Sequence, residues 1–555
     1  MTGPNSRRNE AAKAARTRAG GGPVVALPLE PGEARPLYRQ VYDGLREAIL
    51  AGRLRPGERL PSTRTLAAEL GVARNTVVLA YEQLRTEGYV VGARGGGTRV
   101  REALPDALLH VRPGPRRAAG PARARAAAPG KGEAGASATG GARPAPPAGD
   151  AGSARQGGGA RLSARGAMLA AAGAGLAQAG RTEPVPFRLG VPALDVFPRR
   201  LWARLTARDW RRGGPYLGDA DAGGERALRE AIAWYVTHSR GARCTADQVF
   251  VVSGTQQGLD IAARVLLDPG DAVWVEDPGY PYAHTVLAVA GARLVPVTVD
   301  DEGLDVAAGE RAAPTARLAY VTPSHQFPLG AVMSVSRRLM LLAWARRAEA
   351  WVVEDDYDSE FRYAGRPLPC LQGLDAERQD AAGPARVLYI GTFSKTLAPA
   401  LRLGYLIVPD ALVDAFRAAR AVLDRHAPTL AQGVLADFIA GGHYARHVRR
   451  MRTLYAERQA ALLAAAEAEL EGLLTLTPDP AGLHVVGRLA PGLDAEAAAA
   501  AAEAEGVRVY PVSRYALSPD AQDRSGLILG YAGFDVRAIR VGVRKLRRAL
   551  ESLRA

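Results

Sequence analysis

The chain has 555 residues, 47% hydrophobic and 23% charged, which is room for roughly three or four domains and at least one large core. Its two cysteines, Cys244 and Cys370, exclude a disulfide framework and a cysteine-rich zinc module and fit a reducing cytosol, while no apolar run reaches the roughly 18 residues of a membrane span and the basic N-terminus lacks the apolar segment of a secretory signal. The net charge of +15 is one-sided: residues 1–183 carry 28 basic and 14 acidic side chains, the remaining 372 carry 44 and 43.

A cationic end on a neutral body points to a polyanion partner, nucleic acid first, with a solubilising tail as the other reading. In chain order, residues 1–35 are polar, Gly-rich and basic, the composition of a disordered tail. Residues 36–102 are compact and patterned. Leu37, Val41, Leu45, Ile49 and Leu50 recur at helical spacing, and Gly52 ends that helix. Ser62 stands as N-cap for a helix Thr63–Leu70, and Gly71 makes a tight turn. A further helix runs from near Ala73 to Glu87, striped by Val77, Tyr81 and Leu84 and stopped by Gly88. The strands YVVGA and GTRV then flank Arg94-Gly95-Gly96-Gly97 as a hairpin wing. Helix, Gly-containing turn, helix is the helix-turn-helix plan.

Arg74, Asn75 and Thr76 open the last helix, where Arg and Asn suit guanine and adenine edges in a major groove. Arg64 opens the preceding helix, where a guanidinium forks onto phosphate or base. Arg94 and Gly96 belong to the wing. Taken singly, Arg74 and Asn75 read as caps on a solvated face; in this order, with the wing, they read as DNA binding. The string LPSTRTLAAELGVARNTVVLAY resembles the winged helix-turn-helix of the GntR family of bacterial repressors. That resemblance covers about residues 36–100 and implies double-stranded operator half-sites as the partner.

Residues 103–183 run through Ala, Gly, Pro and Arg with almost no aromatics, a composition that cannot offset the entropy of ordering, and read as a flexible linker whose C-terminal end forms a helix. From residue 184 aromatics return. The apolar runs VFVVSG (249–254), AVWVED (272–277), LAYVTP (318–323), WVVEDD (351–356), VLYIGT (387–392) and LGYLIVP (403–409) alternate with helical stretches. That alternation predicts an α/β domain with a mostly parallel sheet covered on both faces, the large subdomain over 184–410. After Pro409 the pattern turns helical (411–425, 444–471). It ends in a smaller α+β subdomain, within 411–555, with strand candidates Leu483–Val486, Val507–Tyr510 and Leu527–Tyr531.

Chemistry gathers at strand ends. Lys395 follows an apolar run within GTFSKTLAPALRLGY, placed to lose its proton and attack an aldehyde. Ser394 and Arg402 suit a phosphate. Gly254, Thr255 and Gln256 stand at a helix N-terminus, a ready anion site. Asp355, in WVVEDDYDSEF, suits a protonated pyridine nitrogen, Tyr357 a phenolic oxygen, and Tyr280 a ring face. A lysine, an acid, an anion cradle and an aromatic together imply pyridoxal 5′-phosphate. No metal-ligand spacing stands out.

The body, about 185–550, resembles the fold-type I aspartate aminotransferase superfamily of pyridoxal-phosphate enzymes. The resemblance implies Lys395 as Schiff-base lysine, Asp355 as pyridinium partner and Tyr357 as O3′ partner. It makes Thr255, Gln256, Ser394 and Arg402 the phosphate cup, Tyr280 the stacking ring, and Tyr216 a phosphate contact reaching in from a neighbouring subunit. Two residues depart from the pattern. Phe327 stands where the enzymes carry asparagine, and Ile528 where they carry the arginine that grips the substrate carboxylate, with Arg514 or Arg524 as substitutes. Keeping the lysine while losing the clamp fits sensing the cofactor better than transaminating with it.

Head, linker and body in this order, with TPSHQFPLG and EDDYDSEFRY, resemble the MocR family of regulators. That implies a cytoplasmic, nucleoid-associated homodimer in which each head leans on the partner's body, a domain swap. A linker of about 80 residues spans roughly 50 Å. Within the family, the missing clamp is closer to the PdxR type, which senses pyridoxal phosphate and controls vitamin B6 synthesis. The alternatives are an amino-acid sensor of the GabR type and a working aminotransferase fused to a DNA-binding head.

Overall fold

The computed structural model describes residues 37–86, 89–93, 97–101, 162–177, 185–212, 218–363, 369–377, 383–518 and 526–554. The expected tail 1–35, most of the linker, and the residues Arg94, Gly96, Tyr216 and Arg524 lie outside these segments.

Helices Leu37–Leu50, Thr63–Glu69 and Arg74–Thr86 and an antiparallel hairpin, β1 (Val90–Ala93) with β2 (Gly97–Val100), build the head. Val41, Leu45, Ile49, Val77, Tyr81 and Leu84, marked by helical spacing, meet in its core together with Leu66 and Val100. The Ser62 hydroxyl accepts from the Thr65 N–H at 3.1 Å and so caps the second helix. Gly71 then turns the chain at φ +64°, a conformation that costs glycine nothing. Tyr42 packs edge-on against Trp234, ring centroids 5.8 Å apart, and joins the head to helix Arg226–Arg240 of the body.

The linker's expected C-terminal helix is Ala164–Ala177. In the body, β3 (Val249–Val252), β4 (Ala272–Asp277), β5 (Arg293–Asp300), β6 (Gly303–Leu304), β7 (Leu318–Val321), β8 (Trp351–Asp356), β9 (Val387–Thr392) and β10 (Gly404–Ile407) form one sheet. Its order is β3-β10-β9-β8-β7-β4-β5-β6. From β9 to β5 the pairing is parallel; β10 runs antiparallel to both β3 and β9, and β6 antiparallel to β5. Every residue of β3, β7, β9 and β10 is buried, so their sequences are continuous apolar runs. Strand β5 alternates buried and exposed residues near the sheet edge and was not among the anticipated runs.

A second sheet pairs β11 (Leu474–Leu476), β12 (His484–Leu489), β14 (Gly526–Gly530) and β13 (Tyr510–Pro511) in that order, all antiparallel. The strand expected over Val507–Tyr510 shortens to two edge residues. Pro511 brings no N–H to a ladder, and the Arg508 N–H goes to the Pro186 carbonyl at 3.0 Å. Phe187 and Ala193, from the start of the body, pack in the core of this C-terminal layer. Helices Val413–Leu423 and Leu430–Ala440, beyond residue 410, pack instead on the large sheet. No helix among the described residues is long and apolar enough to cross a membrane.

Candidate functional site

Parallel strands release their chains at one edge, so β7, β8 and β9 deliver their following residues to a common pocket. Lys395 comes three residues after β9. Its Nζ donates to the Gly190 carbonyl at 3.0 Å. A Cβ at Gly190, where φ is +70°, would collide with that amine. Burial lowers the Lys395 pKa, with Asp358 and Asp355 opposing. A lysine held this way is more readily a neutral nucleophile.

Asp355 is the penultimate residue of β8 and is buried. Its Oδ2 accepts from the Tyr320 hydroxyl at 2.6 Å, whereas its Oδ1 is buried with no hydrogen-bond partner among the described residues. Burial raises this carboxyl to about 7, and the Tyr320 hydrogen bond opposes that. A buried acceptor left open within such a pocket fits a protonated ring nitrogen. Tyr280 lies close enough to both Asp355 and Arg402 to feel their charges, and burial raises its phenol.

The anion cradle assembles from two chain segments. Gly254, at φ +127°, caps helix Thr255–Leu266 without any side-chain cap, which leaves first-turn N–H groups open. The Arg402 guanidinium lies against Gly254, where a Cβ would sit 3.4 Å from its Nη2. Thr255 is half-buried, Gln256 exposed and Ser394 half-buried. Lysine, open acid, helix N-terminus and guanidinium fit a phosphorylated pyridine aldehyde.

Phe327 fills the place expected for asparagine with a ring that meets Tyr280, Tyr357, Tyr515 and His484 at centroid distances of 5.7, 6.1, 5.3 and 5.6 Å. Tyr515 is brought there by Asp277, whose carboxylate accepts from the Leu517 and Ser518 N–H groups at 2.7 and 3.0 Å. Ile528 is buried in β14 between Val486 and Tyr510, on the face opposite the core residues Leu527 and Leu529. Arg514 is engaged elsewhere, by Glu496 at 2.9 and 2.7 Å. Sequence reasoning did not single out Tyr320, His325 or Tyr515.

In the head, Arg64 and Arg74 are exposed and Thr76 half-buried. Arg74 Nε reaches Thr63 Oγ1 at 3.4 Å, too long for a strong tether. Asn75 lies in the first turn of the same helix. Arg94 and Gly96 fall outside the described residues.

Comparison with known proteins places both halves. Residues 37–100 match the model of bacterial regulatory proteins, gntR family, and residues 203–531 that of aminotransferase class I and II. The chain is 40% identical over 522 residues to the probable rhizopine catabolism regulatory protein MocR of Rhizobium meliloti, covering 93% of this chain and 94% of that one. It is 28% identical to the HTH-type pyridoxine biosynthesis transcriptional regulator PdxR of Corynebacterium glutamicum, over 93% and 96% of the two chains. Among solved structures, the α-aminoadipate aminotransferase LysN of Thermus thermophilus, complexed with N-(5′-phosphopyridoxyl)-L-leucine, superposes with a TM-score of 0.62. That match has 29% identity and covers 71% of this chain and 97% of LysN. The chain therefore belongs to the MocR family of transcriptional regulators, a GntR-type DNA-binding head joined to a body of the class I and II aminotransferase fold.

Proposed function

We propose that this regulator captures pyridoxal 5′-phosphate at Lys395 and couples that capture to operator binding, with vitamin B6 synthesis genes as its target. The observation that supports the reading is that Lys395, held by the Gly190 carbonyl, lies close enough to Asp355 to feel its charge, while Asp355 Oδ1 is buried without a hydrogen-bond partner among the described residues. Bound there, the cofactor supplies an electrophilic aldehyde and an electron-withdrawing ring. Lys395 would be the amine that meets the aldehyde, and Asp355 would hold the ring nitrogen protonated. Arg402 would offset the phosphate's charge, Ser394, Thr255 and Gln256 would donate hydrogen bonds to it, and Tyr280 would cover the ring face. Tyr216 reaches the phosphate from the neighbouring subunit.

The aliphatic Ile528 gives an amino-acid carboxylate no bidentate partner, which supports cofactor sensing over transamination. Arg64, Arg74, Asn75 and Thr76 face DNA, with Arg94 and Gly96 in the wing. Two heads in a swapped homodimer hold two half-sites, and the ligand acts by favouring one head spacing over another. The protein works in the cytoplasm, on the nucleoid. The test is chemical: borohydride fixes pyridoxal phosphate to Lys395, identified by peptide mapping. Fixation elsewhere, or none, refutes the reading.

Ile528 also favours a second reading, in which an amine without a carboxylate is the co-effector. A change in the absorption of the bound cofactor on adding simple amines, with none on adding amino acids, would select this reading.

A further inference from the structure

Behind the pocket, the His325 ring sits between two carboxylates. Its Nδ1 is 3.0 Å from Asp358 Oδ2 and its Nε2 is 3.1 Å from Asp479 Oδ2. The Tyr357 hydroxyl also lies 3.0 Å from Nδ1. His325 follows β7 and Asp358 follows β8, both on the large sheet, whereas Asp479 lies between β11 and β12 of the C-terminal layer. The ring is tightly enclosed: a Cβ at Gly482 would collide with it, and a Cβ at Gly330 would collide with Asp479.

A neutral imidazole has one N–H and satisfies one carboxylate; with carboxylates at both nitrogens, both must donate. The remaining group facing the ring is His484, 5.4 Å away, whose Nε2 lies 3.0 Å from the Pro328 carbonyl; burial and His325 itself lower its pKa. The geometry is therefore that of an imidazolium, and its two carboxylates raise His325 to about 10 against the opposing effect of burial. In an imidazolium the single Nδ1–H is shared between Asp358 Oδ2 and the Tyr357 oxygen, and Nδ1 has no lone pair left to accept the phenol's hydrogen. That hydrogen stays available to an acceptor in the pocket.

We propose that His325 is a positioning residue that acts through Tyr357, holding the phenol by its oxygen so that its hydrogen serves the cofactor's ring oxygen, and that Asp479 links this orientation to the C-terminal layer. The inference rests on the cofactor reading above and adds a residue to it. A hydrogen bond donated to the ring oxygen stabilises its anionic form and favours loss of the proton it shares with the lysine nitrogen. Weakening that donor raises the pH at which the absorption of bound pyridoxal phosphate changes.

The experiment titrates that absorption in the full-length, cofactor-loaded protein and in its His325→Asn, Tyr357→Phe, Asp479→Asn and double H325N/Y357F variants. Y357F and H325N each raise the midpoint by about one pH unit, D479N raises it by less, and the double variant goes no further than Y357F. A wild-type midpoint in loaded H325N, or shifts that add in the double variant, overturns the proposal. If H325N does not load, D479N decides, and a wild-type midpoint there overturns it equally. A wild-type protein that takes up no cofactor refutes the cofactor reading itself, a different result from loaded variants with unmoved midpoints.

Discussion

The Tyr320 hydroxyl holds one oxygen of Asp355 at 2.6 Å, while the other oxygen of that carboxylate is buried and accepts no hydrogen bond from the described residues. A buried acid kept in one orientation with an unused lone pair costs stability until a donor arrives. The open oxygen suits the N–H of a protonated ring nitrogen.

Replacing Asp355 by alanine removes a charged hydrogen bond and weakens pyridoxal-phosphate binding by about 10–100-fold. Tyr320→Phe frees the carboxylate to rotate and weakens binding in the same direction by less. Equilibrium titration of cofactor absorption measures both, and a D355A protein with wild-type affinity would remove Asp355 from the site.

The raised Asp355 carboxyl also sets a pH dependence in the cofactor-free protein. Its folded value of about 7 lies above the ordinary 3.8. The stability associated with its protonated form is present below about pH 4 and is lost as pH rises through 7. Cofactor-free Asp355→Asn, neutral throughout, thus matches wild type in acid and becomes the more stable protein above pH 7. Thermal unfolding at pH 4 and pH 8 checks the sign; equal melting temperatures at both would contradict it.

Ile528→Arg restores a guanidinium to the β14 face opposite Leu527 and Leu529. The expected outcome is a gain: amino acids perturb the cofactor's absorption in the variant at concentrations about 10–100-fold lower than in wild type. Equal responses in the two proteins would show that the carboxylate is held elsewhere.

In the head, Arg74→Ala weakens specific operator binding by about 1–3 kcal/mol while its thermal stability holds, because the 3.4 Å contact to Thr63 contributes little. Ser62→Ala does the reverse: it removes a formed cap, costs about 1 kcal/mol of head stability and leaves sequence preference intact. A shared phenotype would mean that Arg74 is a structural residue.

The body's strands were legible where burial on both faces forces continuous apolar runs, as in β3, β4, β8 and β9. Strand β5 alternates, and its central proline argued against it locally. The antiparallel insertion of β10 was not legible, because a fully buried strand carries no mark of its direction. Site residues with a chemical signature beside a strand end, such as Lys395 and Asp355, could be read locally. Tyr320 hid inside an apolar run as one more core residue. His325 had no local partner, since its carboxylates lie 33 and 154 residues away. Only the fold brings them together.

The central claim is a coupling between Lys395 and DNA, and coupling free energies are reciprocal. Operator affinity of the full-length protein, measured with and without saturating pyridoxal phosphate in wild type and Lys395→Ala, tests it directly. The account predicts an affinity that changes with the cofactor in wild type and does not in K395A. A K395A protein whose operator affinity still follows the cofactor as wild type does would contradict it.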